Sequence, residues 1–544
     1  MKVVLAEKVS PATIAVFSNA TDFRIVTHEQ IKNGLPAELA DADALIVRSG
    51  VQVDANLLES APKLRVIGRA GVGVDNIDTD AATRNGIVVM NTPGGNAVAV
   101  AELAMALMID LARMLPKANA TMHEGHWEKK SLQGTELRGK TLGIIGMGRI
   151  GLEVARRARS FGMELIGHDP FVSAKPKERA AIAREYGARL TSLDEVLRES
   201  DYVTLHMGLT RETEGMLNAK SLAGMKKGVR VINCARGELV VEEDLAAALK
   251  SGQVAGAALD VFRKEPLKDS PFFEMDNVIL TPHIAGSTAE AQEAVGIQIA
   301  EQVLAYLTTG VAQNAVNFPS LSYEEYTALA PYVELGERLG KFLAATFDGN
   351  IESIHIAYSG AMADMRTEMI RNAALCGILG SSGHANRINA SAIAAGQGIH
   401  VHEENNEATP SGAGSALKLT LHSGQRTDQR SMTASGTVLH GKFPRLLNCD
   451  GIDIEAPLDG TLLFIRNQDV PGVIGRIGTI LGEHAVNIAN FALGRAEKND
   501  GNGDRQALAV VHVDAHTPQE QIEKALGALS KLEEIASVRL VKLK

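Results

Sequence analysis

At 544 residues the chain can hold three or four domains of ordinary size, which excludes a lone small binding module. Hydrophobic residues at 45% and charged residues at 22% exclude a mainly disordered chain, and aromatics at only 4% argue against a stacking platform for nucleic acid. The net charge of −10 excludes polyanion binding by bulk attraction, so any anion site must be local, and no nucleic-acid partner is expected.

From Met1 to Met90 short apolar runs alternate with amphipathic stretches, which predicts strands at Val3–Leu5, Phe23–Val26, Ala44–Val47, Leu64–Ile67 and Ile87–Met90 in a parallel sheet. Val98 to Leu115 is rich in Ala, Met and Leu and predicts a long buried helix. A second alternating series follows, with strands expected at Thr141–Ile145, Glu164–Gly167, Tyr202–Leu205, Val229–Ile232, Ala257–Leu259 and Val278–Leu280. Ala289 to Leu307 reads as a second long helix, returning the chain to the first lobe and leaving a cleft between two α/β lobes. Residues 1–97, completed by 288–317, are expected to bind substrate, and residues 98–287 the nucleotide.

Residues 318–457 are expected to form an α+β domain with a Ser/Gly/Asn/Glu-rich loop from His402 to Ser415. Residues 460–544 read strand, helix, strand, strand, helix, strand, the ferredoxin-like order. Thr517 and Pro518 are expected as cap and first residue of the second helix. Three distant cysteines, Cys234, Cys376 and Cys449, argue against a disulfide framework and for a cytoplasmic location. No signal-like start and no run of the ~18 apolar residues that a membrane span requires is present, so neither export nor membrane contact is expected. No metal ligands are assigned.

Strand Thr141–Ile145 runs into Gly146-Met147-Gly148-Arg149-Ile150-Gly151, then a helical stretch, a second strand and Asp169. This is the dinucleotide fingerprint in its required context. Gly146 permits the turn, Gly148 lets backbone reach a pyrophosphate, Gly151 lets helix approach strand, and Asp169 is placed for ribose hydroxyls. An acid there repels a 2′-phosphate, which favours NAD over NADP. Three polar residues follow later strands of the same sheet, Arg236, Glu265 and His283, where strand ends face a cofactor crevice. Hydride transfer needs a matched proton transfer, for which histidine is suited, with Glu265 to fix its tautomer and Arg236 to clamp a carboxylate. Singly, each reads as readily as a turn cap, a solvated loop acid or a structural histidine; together they favour catalysis.

Asn233-Cys234-Ala235-Arg236-Gly237, Asp260-Val261-Phe262 with Glu265-Pro266, and Thr281-Pro282-His283-Ile284-Ala285-Gly286-Ser287 resemble the signature blocks of the D-2-hydroxyacid dehydrogenase family. The resemblance covers most of the first 315 residues and implies two doubly wound parallel lobes, one Rossmann and one flavodoxin-like. It implies Arg236, Glu265 and His283 as the catalytic trio. It also implies NAD contacts from Gly146, Gly148, Arg149, Ile150, Gly151, Asp169, His206, Met207, Cys234, Ala235, Arg236, Asp260, His283 and Gly286. One departure is the absence of the family's proline after His206-Met207. Cys234 reads as a small residue beside the nicotinamide in preference to a redox-sensitive thiol.

Arg48, in Arg48-Ser49-Gly50, and Arg69 end strands of the first lobe and offer cations beyond Arg236, which points to a second anionic group on the substrate. Surface ion pairing is the plainer account of each. In the family's phosphoglycerate-oxidising branch the matching arginines hold phosphate, so the resemblance implies 3-phosphoglycerate as substrate, with Arg48, Ser49, Gly50, Arg69, Arg236 and His283 around it, on the way to L-serine. The last two segments resemble that branch's intervening domain and an ACT domain. The latter implies a homodimer or homotetramer and L-serine as effector at Asp469 and Asn487; pairing between subunits without serine is the competing account. A glyoxylate or hydroxypyruvate reductase and a non-enzymatic NADH-sensing protein are the alternatives on the same fold.

Overall fold

The computed structural model describes residues 1–18, 22–380, 385–406, 414–424, 430–496 and 506–543. Strands β1 (Lys2–Leu5), β2 (Arg24–Val26), β3 (Ala44–Val47), β4 (Val66–Arg69) and β5 (Val88–Met90) pair in parallel in the flavodoxin-like order 2-1-3-4-5. The middle strands are almost wholly apolar because both faces are covered. One cover is the helix Ala289–Thr309, whose Ile299 and Val303 are buried in the same cluster as Val66 and Ile46. It stops at Gly310, left-handed at φ 77°, whose N–H caps the Tyr306 carbonyl. The chain then lays Ala315 beside Met90, and Asn317 Oδ1 accepts the Val89 N–H at 2.8 Å.

The second lobe is a parallel sheet of β6 (Thr141–Ile145), β7 (Glu164–His168), β8 (Ala188–Leu190), β9 (Tyr202–Leu205), β10 (Val229–Asn233), β11 (Val254–Leu259) and β12 (Val278–Leu280). Its order is 12-11-10-9-6-7-8, so the winding reverses between β6 and β9. The edge strand β8 escaped the sequence reading because it is three residues long with an exposed Arg189 at its centre. The long helix between the lobes runs Ala97–Arg113 and not to Leu115. Met114 turns left-handed at φ 51° and a second helix, Leu115–His123, starts. Pro116 explains the break, since it lacks the N–H that the continuing helix would need.

Beyond residue 318, helices Tyr323–Thr346 and Thr367–Leu379 cover one face of a six-stranded sheet. Its strands are β13 (Ser353–Gly360), β14 (His400–Asn406), β15 (Ser415–Ser423), β16 (Arg430–Leu439), β17 (Phe443–Cys449) and β18 (Ile452–Pro457), in the order 14-13-15-16-17-18. The expected loop from His402 is therefore strand as far as Asn406, where it pairs with β13; residues 407–413 lie outside the described residues. This domain rests on the first lobe through Asn386, whose Nδ2 donates to the Gly86 carbonyl at 2.9 Å, and Asn389, whose Nδ2 donates to the Arg84 carbonyl at 3.3 Å.

The tail has β19 (Thr461–Gln468), helix Val473–Glu483, β20 (Ile488–Arg495), β21 (Gln506–Val513), helix Gln519–Leu529 and β22 (Ile535–Lys542). The antiparallel order 20-21-19-22 is ferredoxin-like. Pro518 is the cap and not the first helical residue. The buried stripe of the first of these helices is Val473, Ile477 and Leu481, spaced four apart, while the neighbouring Ile474 is 46% exposed. The sheet face away from these helices is also covered. Leu462, Phe464, Leu508, Val510 and Val541 join one core with Phe342 and Leu339, and the Phe342 and Phe464 rings meet edge to face at 5.3 Å. Among the described residues no helix is long and apolar enough to cross a membrane.

Candidate active site

The winding reversal between β6 and β9 opens a crevice at their C-terminal ends, where a dinucleotide is held in sheets of this kind. Gly146 turns the chain at φ 93°, and a side chain there would strike the His206 carbonyl at 2.6 Å. The His206-Met207 backbone thus lies against the glycine turn despite the missing proline. Gly148 heads the helix Arg149–Ser160 with no side chain capping it, and a Cβ at Gly148 would meet nothing within 4 Å. Uncapped amides facing open space fit a pyrophosphate. Asp169 stands beside them: Oδ2 accepts the Met147 N–H at 3.0 Å, and Oδ1 accepts those of Phe171 and Val172. Oδ2, with one N–H accepted, keeps a lone pair for a ribose hydroxyl, so the residues present fit NAD.

Gly151 faces back onto the turn, and a Cβ there would lie 2.1 Å from the Gly146 carbonyl oxygen. Two backbone segments must separate to admit it. Gly151→Ala is therefore expected to weaken NAD binding at least about tenfold, with a fall in melting temperature. Calorimetric titration with NAD is the check, and wild-type affinity would contradict this packing.

His283 adopts a left-handed backbone at φ 53°, rare for a residue with a side chain. Its N–H donates to the Asp260 carbonyl at 2.8 Å, and the fully buried Asp260 carboxylate accepts from Ile284 N–H, Ala285 N–H and Thr281 Oγ1. Asp260 therefore anchors the loop that presents His283. His283 Nδ1 lies 2.7 Å from Glu265 Oε2, and Glu265 Oε1 accepts the Phe262 N–H at 3.0 Å. An ionised carboxylate only accepts, so Nδ1 carries the proton and Nε2 is left as an acceptor.

Arg236 reaches across to the first lobe. Its Nε lies 3.0 Å from Asp75 Oδ2, its Nη1 donates to the Ala235 carbonyl, and a Cβ at Gly73 would fall 2.0 Å from its Nη2. Arg69 folds over Gly71; its Nη1 donates to the Ala70 carbonyl at 3.2 Å, and its Nε is buried with no acceptor. Burial, then the charge of Arg236, pulls the Arg69 guanidinium below its ordinary range, Arg48 adds to this, and Asp75 and Glu7 oppose it. Glu7 is already engaged: it accepts the Arg48 and Gly50 N–H groups and so shapes the Arg48-Ser49-Gly50 turn. Asn76 Nδ2 ties the same turn from the other side through the Arg48 and Val51 carbonyls. Three guanidinium groups with an unmet donor fit a substrate carrying more than one anionic group.

Arg149 Nη1 donates to the Pro93 carbonyl across the lobes, and Gly286 packs on Asn96. Cys234 and Ala235 are buried, and burial followed by the Asp260 charge pushes the Cys234 thiol up, which holds it as an unreactive thiol at neutral pH. Burial lowers His206 to about 3, so its ring, bonded through Nε2 to Thr204 Oγ1 at 2.8 Å, stays neutral. Ile150 is half-buried at the helix start. The sequence reading missed Glu7, Asp75, Asn76 and Asn96. Glu7 lies two residues beyond β1, but Asp75, Asn76 and Asn96 lie in the loops after β4 and β5, six or more residues from the strand ends, so the strand-end signal that singled out Arg48 and Arg69 does not reach them. In the tail Asp469 is paired with Arg495 at 3.3 Å, and exposed Asn487 donates to Asp514 at 3.2 Å.

Comparison with known proteins gives the family of the chain. Residues 105–285 match the model of the D-isomer specific 2-hydroxyacid dehydrogenase NAD binding domain, 328–450 that of the D-3-phosphoglycerate dehydrogenase intervening domain, and 461–531 that of the ACT domain. The D-3-phosphoglycerate dehydrogenase of Methanocaldococcus jannaschii is 38% identical over 99% of this chain and 100% of its own. That of Bacillus subtilis is 37% identical over 93% of both chains. Among solved structures, a glyoxylate reductase from Paecilomyes thermophila (32% identity, TM-score 0.51) aligns over 58% of this chain and 98% of its own. An NAD-dependent formate dehydrogenase from Staphylococcus aureus in complex with NAD (28%, 0.51) covers 59% and 100%. The chain is an NAD-dependent dehydrogenase of the D-2-hydroxyacid class. Within that class it belongs to the D-3-phosphoglycerate dehydrogenase family, in the form with an intervening domain and an ACT domain.

Proposed function

We propose that this chain oxidises D-3-phosphoglycerate to 3-phosphohydroxypyruvate with NAD, the entry from that acid to L-serine, in the cytoplasm. The observation that carries the substrate is the buried Arg69 guanidinium with its unmet Nε donor, beside Arg236 and Arg48. An unphosphorylated acid leaves these charges uncompensated, which disfavours a glyoxylate or hydroxypyruvate reductase. In this reading Arg236 holds the carboxylate, and Arg69 with the Arg48-Ser49-Gly50 turn holds the phosphate. His283 Nε2 takes the hydroxyl proton, and Glu265 stabilises the resulting imidazolium. Gly146 to Gly151 and Asp169 would hold the pyrophosphate and ribose of NAD, which would supply the hydride acceptor. The paired catalytic groups His283 and Glu265 set aside a purely NADH-sensing role.

The same reading assigns substrate binding to residues 1–97 with 288–317, the nucleotide to 98–287, and regulation to the tail of a homodimer or homotetramer. There Asp469 would receive the ammonium of L-serine and Asn487 its carboxylate or hydroxyl. Purified protein with NAD and 3-phosphoglycerate is expected to generate NADH absorbance at 340 nm on the order of 1–10³ turnovers per second, and added L-serine to lower the rate. No NADH formation with 3-phosphoglycerate, alongside turnover of glyoxylate with NADH, would overturn the assignment.

A further inference from the structure

The outer face of the six-stranded sheet, remote in sequence from the cleft residues, carries a histidine patch that no function so far uses. His355 on β13 and His402 on the edge strand β14 are direct partners in the parallel ladder, and one register step away Ser353 lies between His400 on β14 and His422 on β15. Because side chains alternate along a strand, all four histidines share one face, opposite the buried Ile354 and Leu421 and the half-buried Val401. The His355 and His402 rings lie 4.7 Å apart between centroids, tilted by 33°; His422 meets His355 edge-on at 4.9 Å and 74°. Among the described residues no hydrogen bond or ion pair engages a ring nitrogen of His355 or His402, whose known contacts are with the neighbouring imidazoles.

Two imidazoles that ligate one metal at about 2.0–2.1 Å with angles between square and tetrahedral have centroids about 4.5–5.2 Å apart. The 4.7 Å pair falls inside that interval. Aiming both nitrogens at a common point needs only rotation about χ2, a broad and soft torsion in histidine, in two exposed side chains. We propose that His355 and His402 form a two-imidazole site for a borderline divalent metal such as Zn²⁺, Ni²⁺ or Cu²⁺, with water filling the remaining positions. A protein contribution of two imidazole nitrogens disfavours Mg²⁺ and Ca²⁺, which bind through carboxylate and carbonyl oxygens. His422 meets His355 edge-on from β15, the strand on the other side of β13 from β14. Partial burial, then His422 and His402, lower the proton affinity of His355, and the Glu404 carboxylate on β14 opposes them. Among the described residues no group of three or more His, Cys, Asp or Glu side chains is set for a metal. The ligands come from strands separated by a short 3-10 helix and two α-helices, so no local spacing in the sequence reveals them.

The test is titration of the untagged, chelator-stripped full chain with Zn²⁺ and with Ni²⁺ against a chromophoric competitor. One saturable equivalent per chain is expected, unaffected by excess Mg²⁺ and lost as pH falls through the imidazole range. His402→Asn and His355→Asn should each weaken it at least about tenfold while the melting temperature stays within a few degrees, and His484→Asn, in the tail, should leave it unchanged. Absence of a saturable equivalent, or wild-type affinity in the folded His355→Asn/His402→Asn protein, overturns the proposal.

Discussion

His283→Ala is expected to lower kcat for phosphoglycerate oxidation by about 10²–10⁴-fold while the dissociation constant for NAD changes less than about threefold. The split follows from the arrangement around the residue. Its backbone is pinned through Asp260, whose carboxylate is occupied by the following N–H groups, so removing the ring leaves the loop in place. What disappears is Nε2, the acceptor that the bond from Nδ1 to Glu265 leaves available. Glu265→Gln should give a smaller loss, since an amide oxygen still accepts from Nδ1 but carries no charge to stabilise an imidazolium. Single-turnover kinetics with NAD titration separate the two quantities, and turnover preserved in His283→Ala would remove the residue from proton transfer.

Arg69→Ala is expected to reduce kcat/KM for 3-phosphoglycerate about 10- to 150-fold, the equivalent of roughly 1.5–3 kcal/mol for charged hydrogen bonds, with most of the change in KM. For D-glycerate, which lacks the phosphate, the same variant should change by less than about threefold. The contrast follows from the proposed site: Arg69 lies near Arg48 and Arg236 with a buried Nε donor that has no acceptor, and the substrate phosphate is the group proposed to meet it. Steady-state kinetics on both acids provide the readout. Equal losses on the two would assign Arg69 to holding the lobe together.

The α/β architecture was legible because parallel strands buried on both faces read as unbroken apolar runs; β3, β6, β9 and β12 have the bounds that the residues suggested. Where pattern and topology part, local chemistry decided. Arg189 hid β8, Pro116 broke the first long helix, and a helix with apolar residues on both sides of its buried stripe did not reveal which way Ile474 turns. The glycine turn, Asp169 and the strand-end polar residues were legible because the chemistry restricts them to strand termini. Glu7, Asp75 and Asn76 were not, since their work is to hold other residues and only the folded arrangement brings Glu7 to the backbone of residues 48–50.

The shared packing of Phe342 with Phe464 has a practical corollary for dissecting this molecule. Shortening the chain at residue 457 would not yield a clean catalytic fragment: it would strip the cover from Phe342 and Leu339 and leave a sticky, solvent-facing scar on the remaining piece. Lost activity or aggregation in such a fragment would report that scar and not the absence of an effector. Point changes on the exposed side of the tail, at Asn487 or Ile474, leave the seam closed and so isolate what the tail senses from what it shields.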